Sequence, residues 1–98
     1  MILARDVFYL KFGKAKEARS VITEGKALVN KLGYTKTRAM MDLVGHSYTM
    51  VLEMEWESLA EMENKSKTAF ADKDWQNWYQ KFVPLVDSSY REIFTIIE

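Results

Sequence analysis

The sequence predicts an α+β sandwich with its elements in the order βαββαβ. Three observations carry this. A strand-like run from Ile2 to Phe12 passes through Gly13 into an amphipathic helical stretch. The clearest alternation in the chain, Ser47 to Trp56, runs straight into a helix-start signal, Ser58-Leu59-Ala60-Glu61. An aromatic-rich stretch, Asp72-Lys73-Asp74-Trp75-Gln76-Asn77-Trp78-Tyr79, then leads through Pro84 to a last apolar strand.

In the first strand, Arg5, Val7, Tyr9 and Lys11 point one way, and Phe8, Leu10 and Phe12 the other. Gly13 breaks it. Lys14 to Leu32 reads as a helix, with Ala15, Ala18, Ile22, Gly25, Leu28, Val29 and Leu32 at three- and four-residue spacing. Gly33 suits its C-terminal end, because glycine accepts the left-handed conformation without a clash, and Lys31 suits the negative end of the dipole. Tyr34 to Leu43 is the second strand, and Val44-Gly45-His46 the turn.

The third strand, Ser47 to Trp56, splits into two faces. Tyr48, Met50, Leu52, Met54 and Trp56 form an apolar face that helices should cover; Ser47, Thr49, Val51, Glu53 and Glu55 form the other. Ser58 with Glu61 reads as a capping box, and the helix it opens should bury Leu59, Met62, Ser66 and Phe70 or near neighbours. Asp72 caps a further helix whose stripe is Trp75, Trp78, Tyr79 and Phe82, and Pro84 ends or bends it. Ser88 to Glu98 is the last strand. Strands separated by helices, with one hairpin, give a ferredoxin-like sandwich: a four-stranded antiparallel sheet with helices on one face, one domain over residues 1–98.

Composition narrows the function classes. Nearly half of the 98 residues are hydrophobic, which is globular rather than disordered. The formal net charge of zero argues against a nucleic-acid binder. The charge is nevertheless uneven: Met1 to Arg38 holds nine cationic and three anionic side chains, and Ala39 to Glu98 five and eleven. The halves either pair within one fold or steer self-association. No cysteine is present, which excludes disulfides, thiolate metal sites and cysteine catalysis and suggests a cytoplasmic protein. No apolar run approaches the roughly 20 residues of a membrane helix. There is no glycine-rich phosphate loop and no metal-ligand cluster, so no cofactor is expected.

Helices on one side leave the other sheet face open. Pairing of the first and third strands would set Arg5, Val7, Tyr9 and Lys11 beside Thr49, Val51, Glu53 and Glu55, a mixed face with apolar surface to hide. A two-fold homodimer with its open faces meeting is the simplest solution.

The segment Phe12-Gly13-Lys14-Ala15-Lys16-Glu17-Ala18 resembles the first strand-to-helix junction of dimeric α/β-barrel proteins. The run from Glu53 to Glu61, followed by Phe70-Ala71-Asp72-Lys73-Asp74-Trp75-Gln76-Asn77-Trp78, is similar to the NIPSNAP-like branch. The resemblance covers nearly the whole chain and rests mostly on packing residues. It implies a dimeric barrel, and relatives that include cofactor-independent monooxygenases and haem-degrading enzymes. The latter would carry an axial histidine on a helix, and no predicted helix here has one.

Few residues carry candidate chemistry. His46, the only histidine, falls in the turn and away from the open face. Glu53 and Glu55 share a face and suit acid–base work or a cation, or else pair with Arg5, Lys11 or Arg38. Tyr9 and Arg38 suit an anionic or carbonyl ligand. Tyr9, Arg38, Glu53 and Glu55 are therefore the expected ligand-binding residues. The expected role is binding a small organic molecule between sheet and helices. The alternatives are a cofactor-free monooxygenase, and a structural module with a tightly packed interior.

Overall fold

A computed structural model describes residues 1–34 and 36–98. The elements are β1 (Ile2–Leu10), α1 (Ala15–Lys31), β2 (Thr37–Met41), β3 (Thr49–Trp56), α2 (Leu59–Ala71), α3 (Lys73–Phe82), a 3₁₀ turn at Val83–Leu85, and β4 (Val86–Thr95). The sheet order is β2-β3-β1-β4, with every neighbouring pair antiparallel. This is the ferredoxin-like sandwich, and the sheet of one chain is open rather than closed into a barrel.

Alternation assigns the two faces as expected. Ala4, Phe8 and Leu10 of β1 and Met50, Leu52, Met54 and Trp56 of β3 lie under the helices, while Arg5 pairs with Glu53 and Val7 with Val51 on the open side. The helix-covered core has two clusters. Leu10, Ala18, Ile22, Met50, Trp78, Phe82 and Leu85 form one. Ala4, Tyr34, Trp56 and Ala69 form the other.

The hairpin departs from expectation. β2 is shorter than predicted, and the connection from it is longer. Thr35, within the predicted strand, lies outside the described residues. Tyr48 leaves the strand with φ +61, in the left-handed region. The turn is tied instead by side chains: the Asp42 carboxylate accepts from the Thr49 amide (3.0 Å), and the Thr49 hydroxyl donates to the His46 carbonyl (2.8 Å). The Tyr48 carbonyl accepts from Leu10 N–H at 2.8 Å, and its ring meets Phe12 at 5.1 Å.

The helical caps follow the sequence closely. Ser58 Oγ accepts from Glu61 N–H at 3.2 Å, while the Glu61 carboxylate accepts from Glu57 N–H at 3.1 Å. The predicted buried stripe of α2 is corrected: Leu59 and Phe70 are exposed, and Ala69 is the residue driven fully inside. Small Ala69 lets α2 approach the Trp56 cluster, which turns the bulkier neighbours outward. Pro84 ends α3 through the 3₁₀ turn.

Candidate functional site

A cavity of about 450 Å³ lies between the sheet and the helices. That is within the range of sites that hold small organic molecules. It has contributions from both core clusters: Ile22, Trp78 and Phe82 on one side, Ala4, Tyr34 and Trp56 on the other. Its helical wall is aromatic. Trp75 stacks on Tyr79 (4.8 Å, 13°) and Trp78 on Phe82 (5.4 Å, 11°).

The cavity opens where the core pattern is broken. The helix-facing series of β1 is Ala4, Asp6, Phe8, Leu10, so a carboxylate stands where an apolar residue would close the gap. A buried carboxylate needs a partner. Arg91, opposite Asp6 on β4, supplies it: Nε donates to Oδ1 at 2.6 Å and Nη2 to Oδ2 at 3.1 Å. This paired, bidentate contact holds the Arg91 guanidinium above its ordinary range. Burial pushes the Tyr34 phenol up, while the nearby Ser66 hydroxyl and the Arg91 charge pull it the other way. Asp6, Arg91, Tyr34 and Ser66 all line the cavity.

Trp56 stands beside this polar group. It is buried, and among the described residues its indole Nε1 has no hydrogen-bond partner. Trp56 and Tyr34 meet edge to face (4.9 Å, 83°) and also border a smaller, polar depression of about 130 Å³ that Glu55, Glu57 and Glu61 line.

The residues expected from sequence are divided by the fold. Arg38 and Glu53 are brought together and border the large cavity, but their charged ends meet on the open sheet face. There Glu53 is clamped between Arg38 (Nε 3.1 Å) and Arg5 (Nε 2.8 Å). Hydrogen bonding to Arg38, and then to Arg5, holds the Glu53 carboxyl below its usual range against the effect of burial. Glu55 is exposed and lines only the smaller depression. Tyr9 lies elsewhere on the open face, within 4.7 Å of the His46 ring and 6.2 Å of Tyr90. His46 is exposed in the turn, as expected, but it curls onto the open face rather than away from it.

Sequence reasoning overlooked Asp6, Tyr34, Ser66 and Arg91 as a group. The signal for Asp6 was available: it shares the period of Phe8 and Leu10, on the face that helices cover. Arg91 becomes visible only through the β1–β4 register. Among the described residues, no group of three or more His, Asp or Glu side chains is placed to hold a metal ion. Among them, too, no helix is long and apolar enough to cross a membrane.

The NIPSNAP family model matches residues 6–98. No curated protein matches the chain. Among solved structures, a NIPSNAP family protein from Agrobacterium tumefaciens superimposes with a TM-score of 0.92 at 17% identity, covering 99% of this chain and 93% of that one. An uncharacterized NIPSNAP domain protein from Burkholderia xenovorans gives 0.90 at 15% identity, covering 99% and 95%. SnoaB, a cofactor-independent oxygenase from Streptomyces nogalater, gives 0.76 at 14% identity, covering 99% and 93%.

Proposed function

The chain belongs to the NIPSNAP family, and on that scaffold we propose that it binds a small organic molecule in the cavity between sheet and helices. One observation carries the reading: an aromatic-walled space of about 450 Å³ with a paired Asp6–Arg91 group in its lining. A charge pair set in the lining of an aromatic space suits a ligand with a polar group better than a tightly packed scaffold. A thermal-shift screen of metabolites tests the reading, with tryptophan emission as the second signal, since Trp56, Trp75 and Trp78 all line the space. A ligand that raises the melting temperature, alters emission and occupies the cavity in a co-crystal supports it. A library that moves neither signal at millimolar concentration defeats it.

The open sheet face supports a homodimer, and a cytoplasmic setting is proposed with it on the cysteine-free sequence alone. Tyr90 and Phe94 are exposed there beside the Arg5–Glu53–Arg38 cluster, and Arg5 lies over the Phe94 ring at 5.5 Å. A second copy meeting this face would shelter both kinds of surface. Sedimentation equilibrium giving a monomer at micromolar concentration would end that part of the proposal.

Cofactor-free oxygenation is the second reading, favoured by the likeness to SnoaB. On this fold the reacting carbon would sit in the aromatic cavity. Oxygen uptake above the protein-free rate, with an electron-rich phenol as substrate, is the measurement that decides it.

A further inference from the structure

Five charged residues border the cavity: Asp6, Lys26, Arg38, Glu53 and Arg91. They do not act alike. Arg38 shares the Glu53 carboxylate with Arg5, and the charged ends of all three meet on the open sheet face, away from the cavity. Lys26 stands on the exposed side of α1. Asp6 and Arg91 remain, and they form a closed unit. Both carboxylate oxygens of Asp6 are used, and the guanidinium charge is matched. Arg91 still has N–H donors that Asp6 does not use, because a guanidinium carries five. Its side chain is 48% exposed, so those donors are reachable, whereas Asp6 is 12% exposed.

Such a unit discriminates by charge. A carbonyl oxygen can accept from the spare Arg91 donors and the Tyr34 hydroxyl without bringing charge into the cavity. A carboxylate would meet a guanidinium already neutralised and would stand close to the buried Asp6 charge. It would lose its water at the Asp6–Arg91 unit without gaining a free cation there, and Lys26, exposed on α1, keeps its charge in solvent. A wholly apolar ring would strand the polar lining. The walls point the same way: stacked Trp75–Tyr79 and Trp78–Phe82 offer ring faces to a flat body.

Resting on the reading that the cavity binds ligand, we propose that it takes an uncharged, ring-bearing molecule with a carbonyl acceptor, and that the Asp6–Arg91 pair with the Tyr34 hydroxyl determines this specificity against carboxylates.

Three probes of one skeleton test the rule: 2-acetylnaphthalene, 2-naphthoate and naphthalene, titrated into the full chain by calorimetry. The ketone is expected to bind about tenfold more tightly than either of the others, the size of effect that one or two well-formed hydrogen bonds give. Asp6→Asn frees the Arg91 charge and should invert the order of ketone and carboxylate. Should that variant not fold, Tyr34→Phe should lower ketone affinity about fivefold and narrow its lead over naphthalene. Naphthoate binding as tightly as the ketone to the wild type overturns the charge rule alone. So does an Asp6→Asn protein that keeps the wild-type order, or a Tyr34→Phe protein that keeps the full lead. Absence of binding by all three probes overturns the rule together with the cavity reading beneath it.

Discussion

The indole of Trp78 occupies the space where any side chain on Gly25 would stand. A β-carbon built on Gly25 falls against the Trp78 ring, far inside van der Waals contact. The same indole donates from Nε1 to the Val21 carbonyl at 2.7 Å, one helical turn before Gly25. Trp78 therefore lies flat on α1, and α3 is locked to α1 through it.

Gly25→Ala sets two effects against each other. Alanine in mid-helix gains about 1 kcal/mol over glycine. Forcing the ring away costs about 1–3 kcal/mol in overpacking, plus about 1 kcal/mol for the lost indole hydrogen bond. The clash should win, with a net loss of about 2 kcal/mol and a fall in melting temperature of roughly 8–16 °C. A Gly25→Ala protein as stable as the wild type in urea would mean that the ring moves without cost.

Much of this architecture was legible because local rules and tertiary packing agree. Ser58 and Asp72 cap helices because their side chains have amides to accept from, and β3 alternates because one of its faces is covered. The rest depends on contacts between distant residues. Asp6 and Arg91 are 85 residues apart, and neither alone announces an interior pair. Tyr48 looks like a strand residue by alternation, but the side-chain ties of the hairpin turn it out of the strand. The cavity has no local signature, since residues from the sheet and from all three helices line it together.

Asp72 is the sole residue between α2 and α3, and it serves both. Its N–H donates to the Ala69 carbonyl at 3.0 Å, and its Oδ1 accepts from Trp75 N–H at 2.9 Å. Asp72→Ala should cost about 1 kcal/mol, the usual value of an N-cap. Asp72→Asn keeps the acceptor and should lose only about 0.3–1 kcal/mol, from the charge at the helix N-terminus. Because the cap holds Trp75 in the cavity wall, the alanine variant should also shift tryptophan emission. Equal losses for the two variants would show that charge, not the cap, matters here.

Glu53 makes stability depend on acid. Its carboxyl normally titrates near 4.5, and the Arg38 and Arg5 contacts hold it lower in the folded chain. A group depressed on folding stabilises fully above its unfolded value and loses that contribution as pH falls through the folded one. The contribution is therefore full at neutral pH, begins to fall as pH drops past the ordinary carboxylate value, and is lost as pH passes through the lower folded one. Glu53→Gln should cost about 1–2 kcal/mol at pH 7, held down because Arg5 and Arg38 are 39% and 69% exposed and partly screened. The gap between wild type and variant should narrow steadily as the solution is acidified from pH 5. Denaturant titrations across that range check it, and a constant gap would contradict the linkage.

The two buried tryptophans should answer differently to the same substitution. Trp78 and Trp56 are 8% and 5% exposed, so each loses a comparable amount of packing on conversion to phenylalanine, about 1–2 kcal/mol. Their N–H groups differ. Trp78 Nε1 has the Val21 carbonyl, whereas Trp56 Nε1 has no hydrogen-bond partner among the described residues, and its neighbour Tyr34 presents only a ring at 4.9 Å. Removing a satisfied donor adds about 1 kcal/mol to the loss; removing an orphaned one returns about 1–3 kcal/mol of desolvation. Any contact of that N–H with the Tyr34 ring is worth less than this. Trp78→Phe should thus cost about 2–3 kcal/mol, while Trp56→Phe should fall within about 1 kcal/mol of the wild type. Urea denaturation of both variants decides the matter: equal losses would mean that the Trp56 donor is satisfied in solution, by water or by a ligand in the adjoining cavity.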